Sequence, residues 1–341
     1  MRIKVEPPDP RALVPLPQEG SLEGARMPAA RVPLRLRARN WVRRHPTAVT
    51  LIGSTIVLAA LAFGLWDKRA DFTEALRGAS GWVLAAAGGL QLVWLVARSE
   101  AWHVCVAAAG GSVERRRLYR ASAVGYLGNI FNPNFGLAVR IAALRRSAPV
   151  DSPKPKVLIA AELPIVVVEI ALAALLSFTL VGPLGVAWWI PLAVLAGSAL
   201  VIGLFTRFLR DRREGFWKGL EVMRGLRSRN RIIALVIFAV SMQVARNWLV
   251  LEGLGVDISV LDSVALLIAT AALGLLPVGP GLVAACAVMI LGSNGVAVVA
   301  AAGALLTATG AAGSMCFAAW ALADRLRRSP RRAAAGLPRL G

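Results

Sequence analysis

The side chains best able to do chemistry in this sequence are a few charged and amide residues embedded in long apolar blocks. They are Arg140, Glu162, Glu169, Gln243, Arg246 and Asn247. An ionised side chain at the centre of a membrane helix costs on the order of 2.5–3.5 kcal/mol, so such residues need partners or a polar cavity. Their placement therefore predicts a binding site or path for a charged group, and no catalytic residue of an enzyme is expected.

The spacing of these residues suggests how they could act together. Glu162 and Glu169 lie on one face of a helix, about two turns apart, and Gln243 and Asn247 are i,i+4 neighbours with Arg246 on the adjoining edge. Arg140 and Arg246 are predicted on opposite sides of the membrane midplane. They could receive an anionic headgroup in turn while a glutamate balances the vacated arginine. The alternative is that Arg140 with Glu162, and Arg246 with Glu169, form static ion pairs between helices.

The composition places these residues in a membrane protein. The chain is 57% hydrophobic and 17% charged, and its apolar blocks have the length of about 20 residues that crosses a hydrocarbon core. A net charge of +20 would suggest a nucleic acid partner, but the Lys and Arg residues lie between the blocks, as the positive-inside rule predicts. His45 and His103 are isolated, so neither a metal site nor a cofactor is expected.

The predicted fold is an all-α, polytopic membrane helix bundle. Six full spans are expected at about residues 48–66, 80–108, 155–181, 184–206, 231–251 and 296–323. The alternation of basic and non-basic loops places both termini in the cytoplasm and the protein in the plasma membrane. The domain organisation is then a disordered basic tail (1–46), an integral membrane domain (47–325) and a second basic tail (326–341).

Two further apolar stretches are predicted to be opposed re-entrant helical hairpins. Residues 121–139 have basic flanks at both ends, so both ends favour the cytoplasm. The uncharged stretch between Asp262 and Asp324 is broken by LLPVGPGL (275–282) and GSNG (292–295), and predicts a hairpin from the other face. NPNFGLAV (132–139) and LPVGPGLVA (276–284) share a proline, a glycine and an apolar run. They indicate a probable inverted repeat, the alternative being two unrelated kinks.

The breaks in these hairpins add candidate substrate-binding residues, because freed backbone groups must be satisfied inside protein or a polar cavity. They are Asn129, Asn132, Pro133, Gly136, Pro277, Gly279 and Gly281. Arg98, Glu100, Trp102 and His103 are instead interpreted as the cytoplasmic boundary of the second span, where long side chains reach the interface. GAAGS (310–314) is expected to be a small-residue face for close helix packing.

A short series of motifs resembles a known family. Asn129, Pro133, Gly136 and Arg140 form an asparagine and P-x-x-G-x-x-x-R pattern, Glu162 follows in the next span, and LPVGPGL comes late in the chain. On these motifs, residues 48–325 resemble the lysylphosphatidylglycerol synthase transmembrane region, or flippase-like domain, family. The resemblance implies a translocase that moves an anionic phospholipid, an aminoacyl-phospholipid or a lipid-linked sugar between leaflets.

The sequence also departs from that family. An acidic residue is expected where Leu137 stands and just after the late glycine turn, where Val283 to Ala287 are uncharged. The substrate is therefore not inherited from the resemblance. The expected partners are anionic membrane lipids, with a homo-oligomer or an envelope-biosynthesis partner as further possibilities. The competing hypotheses are a lipid-modifying enzyme, for which no acidic cluster is visible, and an accessory protein that scaffolds a cell-envelope complex.

Overall fold

The computed structural model describes residues 55, 59, 62–131, 133–148, 152–210, 226–273, 282–292 and 295–335. All of them belong to a unit that spans Thr47–Gly341. Every regular element within these ranges is helical, which confirms the predicted all-α class. The tail 1–46, and most of the predicted first span, lie outside the described residues.

The helices follow one another along the chain with short connections. In order they are α1 (Arg69–Gly78), α2 (Gly81–Ala108), α3 (Arg115–Phe131), α4 (Pro133–Ser147), α5 (Pro155–Ala160), α6 (Leu163–Leu176), a 3₁₀ turn (Ser177–Leu180), α7 (Val181–Leu184), α8 (Trp189–Arg210), α9 (Leu226–Glu252), α10 (Val260–Leu273), α11 (Leu282–Leu291) and α12 (Val296–Ala335).

Four stretches of the described chain are long and apolar enough to cross a membrane. They are Gly81–Ala108, Pro155–Leu180, Arg227–Glu252 and Val296–Arg327. Each coincides with a predicted span. The apolar part of α8, Trp189–Leu204, is shorter than these. The protein is therefore a helical membrane protein, with four of the six predicted spans matched by candidate spans of the structure.

The predicted span at 155–181 is matched by the structure, and its helix is interrupted at Ala161 and Glu162. These two residues form a turn between α5 and α6. Pro164 lies in the first turn of α6, where its missing N–H would have no helical partner in any case. The Glu162 carbonyl accepts hydrogen bonds from the N–H groups of Ile165 and Val166, both at 3.1 Å. The break places the Glu162 side chain at a helix start.

α2 and α9 form an antiparallel pair with a different apolar cluster at each end. The first cluster joins Trp102 near the end of α2 and Ile232 near the start of α9 to residues of α3, α4, α5 and α6. The second joins Ala87 near the start of α2 and Val250 near the end of α9 to residues of α10, α11 and α12. The helix pairs α3–α4 and α10–α11 therefore pack at opposite ends of the α2–α9 pair.

α3 and α4 form a tight helical hairpin with Asn132 between them. A Cβ added at Gly125 would lie 2.7 Å from the Cβ of Arg140, and one at Gly128 would lie 3.0 Å from the Cα of Gly136. A Cβ at Gly136 would overlap the Asn129 side chain. The glycines thus let two backbones approach more closely than larger residues allow, which gives Asn129 and Gly136 of the motif a packing role.

Candidate functional site

Four charged side chains meet at the end of α2 that carries the α3–α4 hairpin. We call them the central charge cluster: Arg98 of α2, Arg140 of α4, Glu162 at the α5–α6 break and Glu169 of α6. One Glu162 oxygen, Oε1, pairs with Arg98 Nη2 at 2.9 Å, and the other pairs with Arg140. Arg98 also pairs with Glu169 through its second terminal nitrogen. The charges of the cluster balance, and the cluster ties three parts of the bundle together.

The members of the cluster differ in exposure. The side chain of Arg140 is 6% exposed, that of Glu162 11%, that of Arg98 16% and that of Glu169 36%. Exposure therefore rises steadily from Arg140 to Glu169, and a ligand would reach the cluster from the Glu169 side. At the buried end, the Arg140 guanidinium lies over the indole ring of Trp102, with Cζ 4.0 Å from the ring centroid. This geometry gives a cation–π interaction, which is strongest where water is excluded.

The alternative pair of Arg246 with Glu169 is not present in the described chain, where the Glu169 carboxylate pairs with Arg98. Arg98 and Trp102, interpreted from the sequence as boundary residues, lie in or against the cluster, and Trp102 is fully buried. The available signal was that Arg98 lies well inside an apolar block, where an arginine needs an acidic partner. The expected contact of Arg140 with Glu162 is present.

Arg246 of α9 forms a second polar site, without a carboxylate. Its residue is 7% exposed, and its guanidinium donates to Gln243 Oε1 at 3.1 Å, to Thr309 Oγ1 at 2.9 Å and to the Leu306 carbonyl. Its Nε has no hydrogen-bond partner among the residues that the structure describes. No acidic side chain of the described chain pairs with it, so this is a buried cation balanced only by dipoles.

Neighbouring residues allow this guanidinium to lie against α12. Gln243 donates from Nε2 to Gln91 Oε1 at 3.0 Å. A Cβ at Gly310 would lie 3.3 Å from Arg246 Nη2, and one at Gly313 would lie 2.6 Å from Gln91 Cγ. The small-residue face predicted at 310–314 therefore packs against the polar side chains of α2 and α9. Gln91, Leu306 and Thr309 were not predicted from the sequence.

The remaining predicted site residues are placed as follows. Asn129 is exposed and its amide lies against Gly136. Pro133 begins α4, and Asn247 is buried next to Arg246 along α9. Asn132, Pro277, Gly279 and Gly281 lie outside the described residues. The structure thus unites Arg140 with Glu162 and Glu169, and Gln243 with Arg246, as two separate polar sites.

Glu100 holds a third cluster, outside the predicted site. Its carboxylate pairs with Arg115 at 2.8 Å and with Arg231 at 2.7 Å, and accepts a hydrogen bond from the Tyr119 hydroxyl at 2.7 Å. Burial, together with this hydrogen bond to Glu100, raises the pKa of Tyr119 to about 12, so the phenol remains a donor at neutral pH. The cluster ties α2 to the starts of α3 and α9, where the arginines are exposed.

The fold and these sites define a helical membrane protein. Within its described residues, the bundle encloses a balanced charge cluster and a buried arginine that pairs with no acidic side chain. The sequence model of the lysylphosphatidylglycerol synthase TM region family matches residues 49–319, and the chain belongs to that family. The match confirms the resemblance carried by the asparagine, proline, glycine and arginine motif. Comparison with curated proteins and with solved structures gave no significant match.

Proposed function

We propose that this protein is a lipid translocase that moves an anionic phospholipid or lipid-linked intermediate between the leaflets of the plasma membrane, and that it is not an enzyme. The observation that carries the proposal is the pair of buried arginines. Arg140 belongs to the α3–α4 hairpin, whereas Arg246 lies about one turn before Val250, in the half of α9 that packs against α10 and α11. Two cationic sites toward opposite ends of a bundle can hold an anionic headgroup in succession.

The topology that goes with this proposal has both termini in the cytoplasm and two re-entrant hairpins. The positions of α3–α4 and α10–α11 at opposite ends of the α2–α9 pair support entry from opposite faces. Basic residues flank the first hairpin at both ends, Arg115 to Arg117 before and Arg145 with Arg146 after, which supports a cytoplasmic position for both ends. Broken helices of this kind build substrate sites near the midplane of transporters.

The connectivity of the cluster favours exchange of an anion at Arg140. Glu162 is bound by two arginines, so it keeps Arg98 when a headgroup takes its place at Arg140. The exchange therefore leaves no buried carboxylate without a cation, which would be strongly destabilising. At Arg246 no carboxylate has to be displaced. An anion at Arg246 would supply the negative charge that its neutral partners lack. The two sites would therefore bind a headgroup in different ways.

Reconstitution into liposomes with a fluorescent anionic lipid tests this function. Arg140→Ala and Arg246→Ala are each expected to slow leaflet exchange by at least about tenfold, which corresponds to roughly 1.4 kcal/mol. Arg77→Ala, at an exposed position of α1, is the matched control and should exchange lipid at the normal rate. If the Arg140→Ala and Arg246→Ala variants both fold and still move lipid at the wild-type rate, the proposal is wrong.

One observation favours a second function, that of a non-transporting accessory protein of a cell-envelope lipid or glycan pathway. Glu162 is already saturated by two arginines, as expected of a static tie between helices. An accessory protein would act through a homo-oligomer or an envelope-biosynthesis partner. It would give no leaflet exchange for any lipid tested, and the variants of Arg140 would then lose stability alone.

A further inference from the structure

An apolar groove runs between α6, α9 and α10. Its volume is about 530 Å³. α6 contributes Leu172 and Leu176, α9 contributes one stripe of residues from Ile237 to Trp248, and α10 contributes Val260 and Val264. The lining is almost entirely apolar, with the Ser241 hydroxyl and the Trp248 indole N–H as its polar groups among the described residues. Ile237 and Trp248 are both exposed, so the groove is open along its side.

The dimensions of the groove fit a hydrocarbon chain. The stripe from Ile237 to Trp248 extends over about 16 Å at a rise of about 1.5 Å per residue, which is about half of a ~30 Å hydrocarbon core and hence the depth of one leaflet. The length of the groove therefore fits one acyl chain of a single leaflet.

The groove begins about one helical turn along α6 from the central charge cluster. Leu172 and Leu176 follow Glu169 at i+3 and i+7, so all three lie on one face of α6. Glu169 is also the most exposed member of the cluster. The exposed side of the cluster at Glu169 thus lies next to the start of the apolar groove. This arrangement matches an amphiphile with a charged headgroup.

We propose that this groove holds one acyl chain of a membrane lipid whose anionic headgroup enters the cluster at Glu169 and pairs with Arg98. Arg98 has two acidic partners, Glu162 at 2.9 Å and Glu169, so it can exchange the outer one for a phosphate and keep the inner one. Lipid access is then lateral, between α6 and α9. The inference rests on the proposed function only for the fate of the lipid, since occupancy of the groove does not require transport.

Photo-cross-linking of the full-length protein in liposomes tests the inference. The probe is phosphatidylglycerol with a diazirine in one acyl chain, and labelled peptides are mapped by mass spectrometry. The segment Val240 to Ala245 should be labelled several-fold more than the exposed face of α8. Ala245→Trp, which fills the groove, should remove that excess. Ala234→Trp, on the same side of α9 but exposed and outside the lining, should retain it.

A diacylglycerol probe with the same chains and no phosphate separates a specific site from contact with bulk lipid. It should label the groove several-fold less than phosphatidylglycerol does. Equal labelling by the two probes, labelling unchanged by Ala245→Trp, or cross-links between two copies of the chain in the groove would each overturn the inference. Labelling that follows the expected pattern without leaflet exchange would leave the acyl-chain site standing and remove the translocase. Leaflet exchange without labelling of the groove would leave the translocase standing and remove the acyl-chain site.

Discussion

Removing the charge of Glu162 should lower the free energy of unfolding more than removing the charge of its partner Arg140. In Glu162→Gln, Arg140 loses its one acidic partner among the described residues, and its side chain is only 6% exposed. Arg98 retains Glu169. In Arg140→Gln the situation is different, because Glu162 retains Arg98 at 2.9 Å. One substitution leaves a buried charge uncompensated, and the other does not.

The expected free energies of unfolding follow from that difference. An uncompensated charge in a buried pair costs about 3–5 kcal/mol, which we expect for Glu162→Gln. Arg140→Gln removes a hydrogen bond to a charged group, worth about 1.5–3 kcal/mol. The double variant has no buried arginine at position 140, and its remaining pair, Arg98 with Glu169, is balanced. The second substitution should therefore rescue the first, so that the double variant is more stable than Glu162→Gln alone.

Equilibrium unfolding in mixed micelles with increasing SDS measures these differences as a double-mutant cycle. The decisive quantity is the sign of the change when Arg140→Gln is added to Glu162→Gln. If the double variant is less stable than Glu162→Gln by the full cost of Arg140→Gln alone, the two residues are independent. The account of the cluster as a coupled, buried charge network would then be refuted.

Other predictions test the packing and the other two polar sites. Gly136→Ala should lower the free energy of unfolding by about 1–3 kcal/mol, because the new Cβ overlaps Asn129; Gly89→Ala, which meets no neighbour within 4 Å, should not lower it in the same SDS titration. In Arg246→Met, the free energy of unfolding should stay within about 1 kcal/mol of wild type or rise, because an apolar side chain needs no counter-ion. Leaflet exchange should be lost in this variant. A lower free energy of unfolding would instead indicate that Arg246 is a structural arginine. Glu100→Gln should cost only about 1–2 kcal/mol, since its arginines are exposed to solvent, and a cost that did not shrink with added salt would contradict this.

The membrane class and the main spans could be predicted because they depend on local properties. A span requires only length and apolar composition. The basic flanks also indicated the helical hairpin α3–α4, and its entry from the cytoplasmic side stays a prediction. The contact of Arg140 with Glu162 could also be predicted, since each lies in an apolar stretch and needs a charge of opposite sign.

The partners of the other polar residues could not be predicted in the same way. From the sequence, Glu169 could pair with either Arg98 or Arg246, because hydrophobic periodicity does not show which helix lies beside α6. The approach of α12 to α9 depends on Gly310, and the approach of α12 to α2 on Gly313. Small residues on a helix indicate close packing without naming the neighbour.

The amino-acid sequence was enough to identify a helical membrane protein of its family and the side chains that are too polar to face lipid, because the free energy of transfer into hydrocarbon is a property of each segment alone. The packing of the helices was needed to show that Arg98 bridges Glu162 and Glu169, that Trp102 lies under Arg140, and that Arg246 has no acidic partner in the described chain. Ion pairing is a property of distance between helices, and that distance is set by packing.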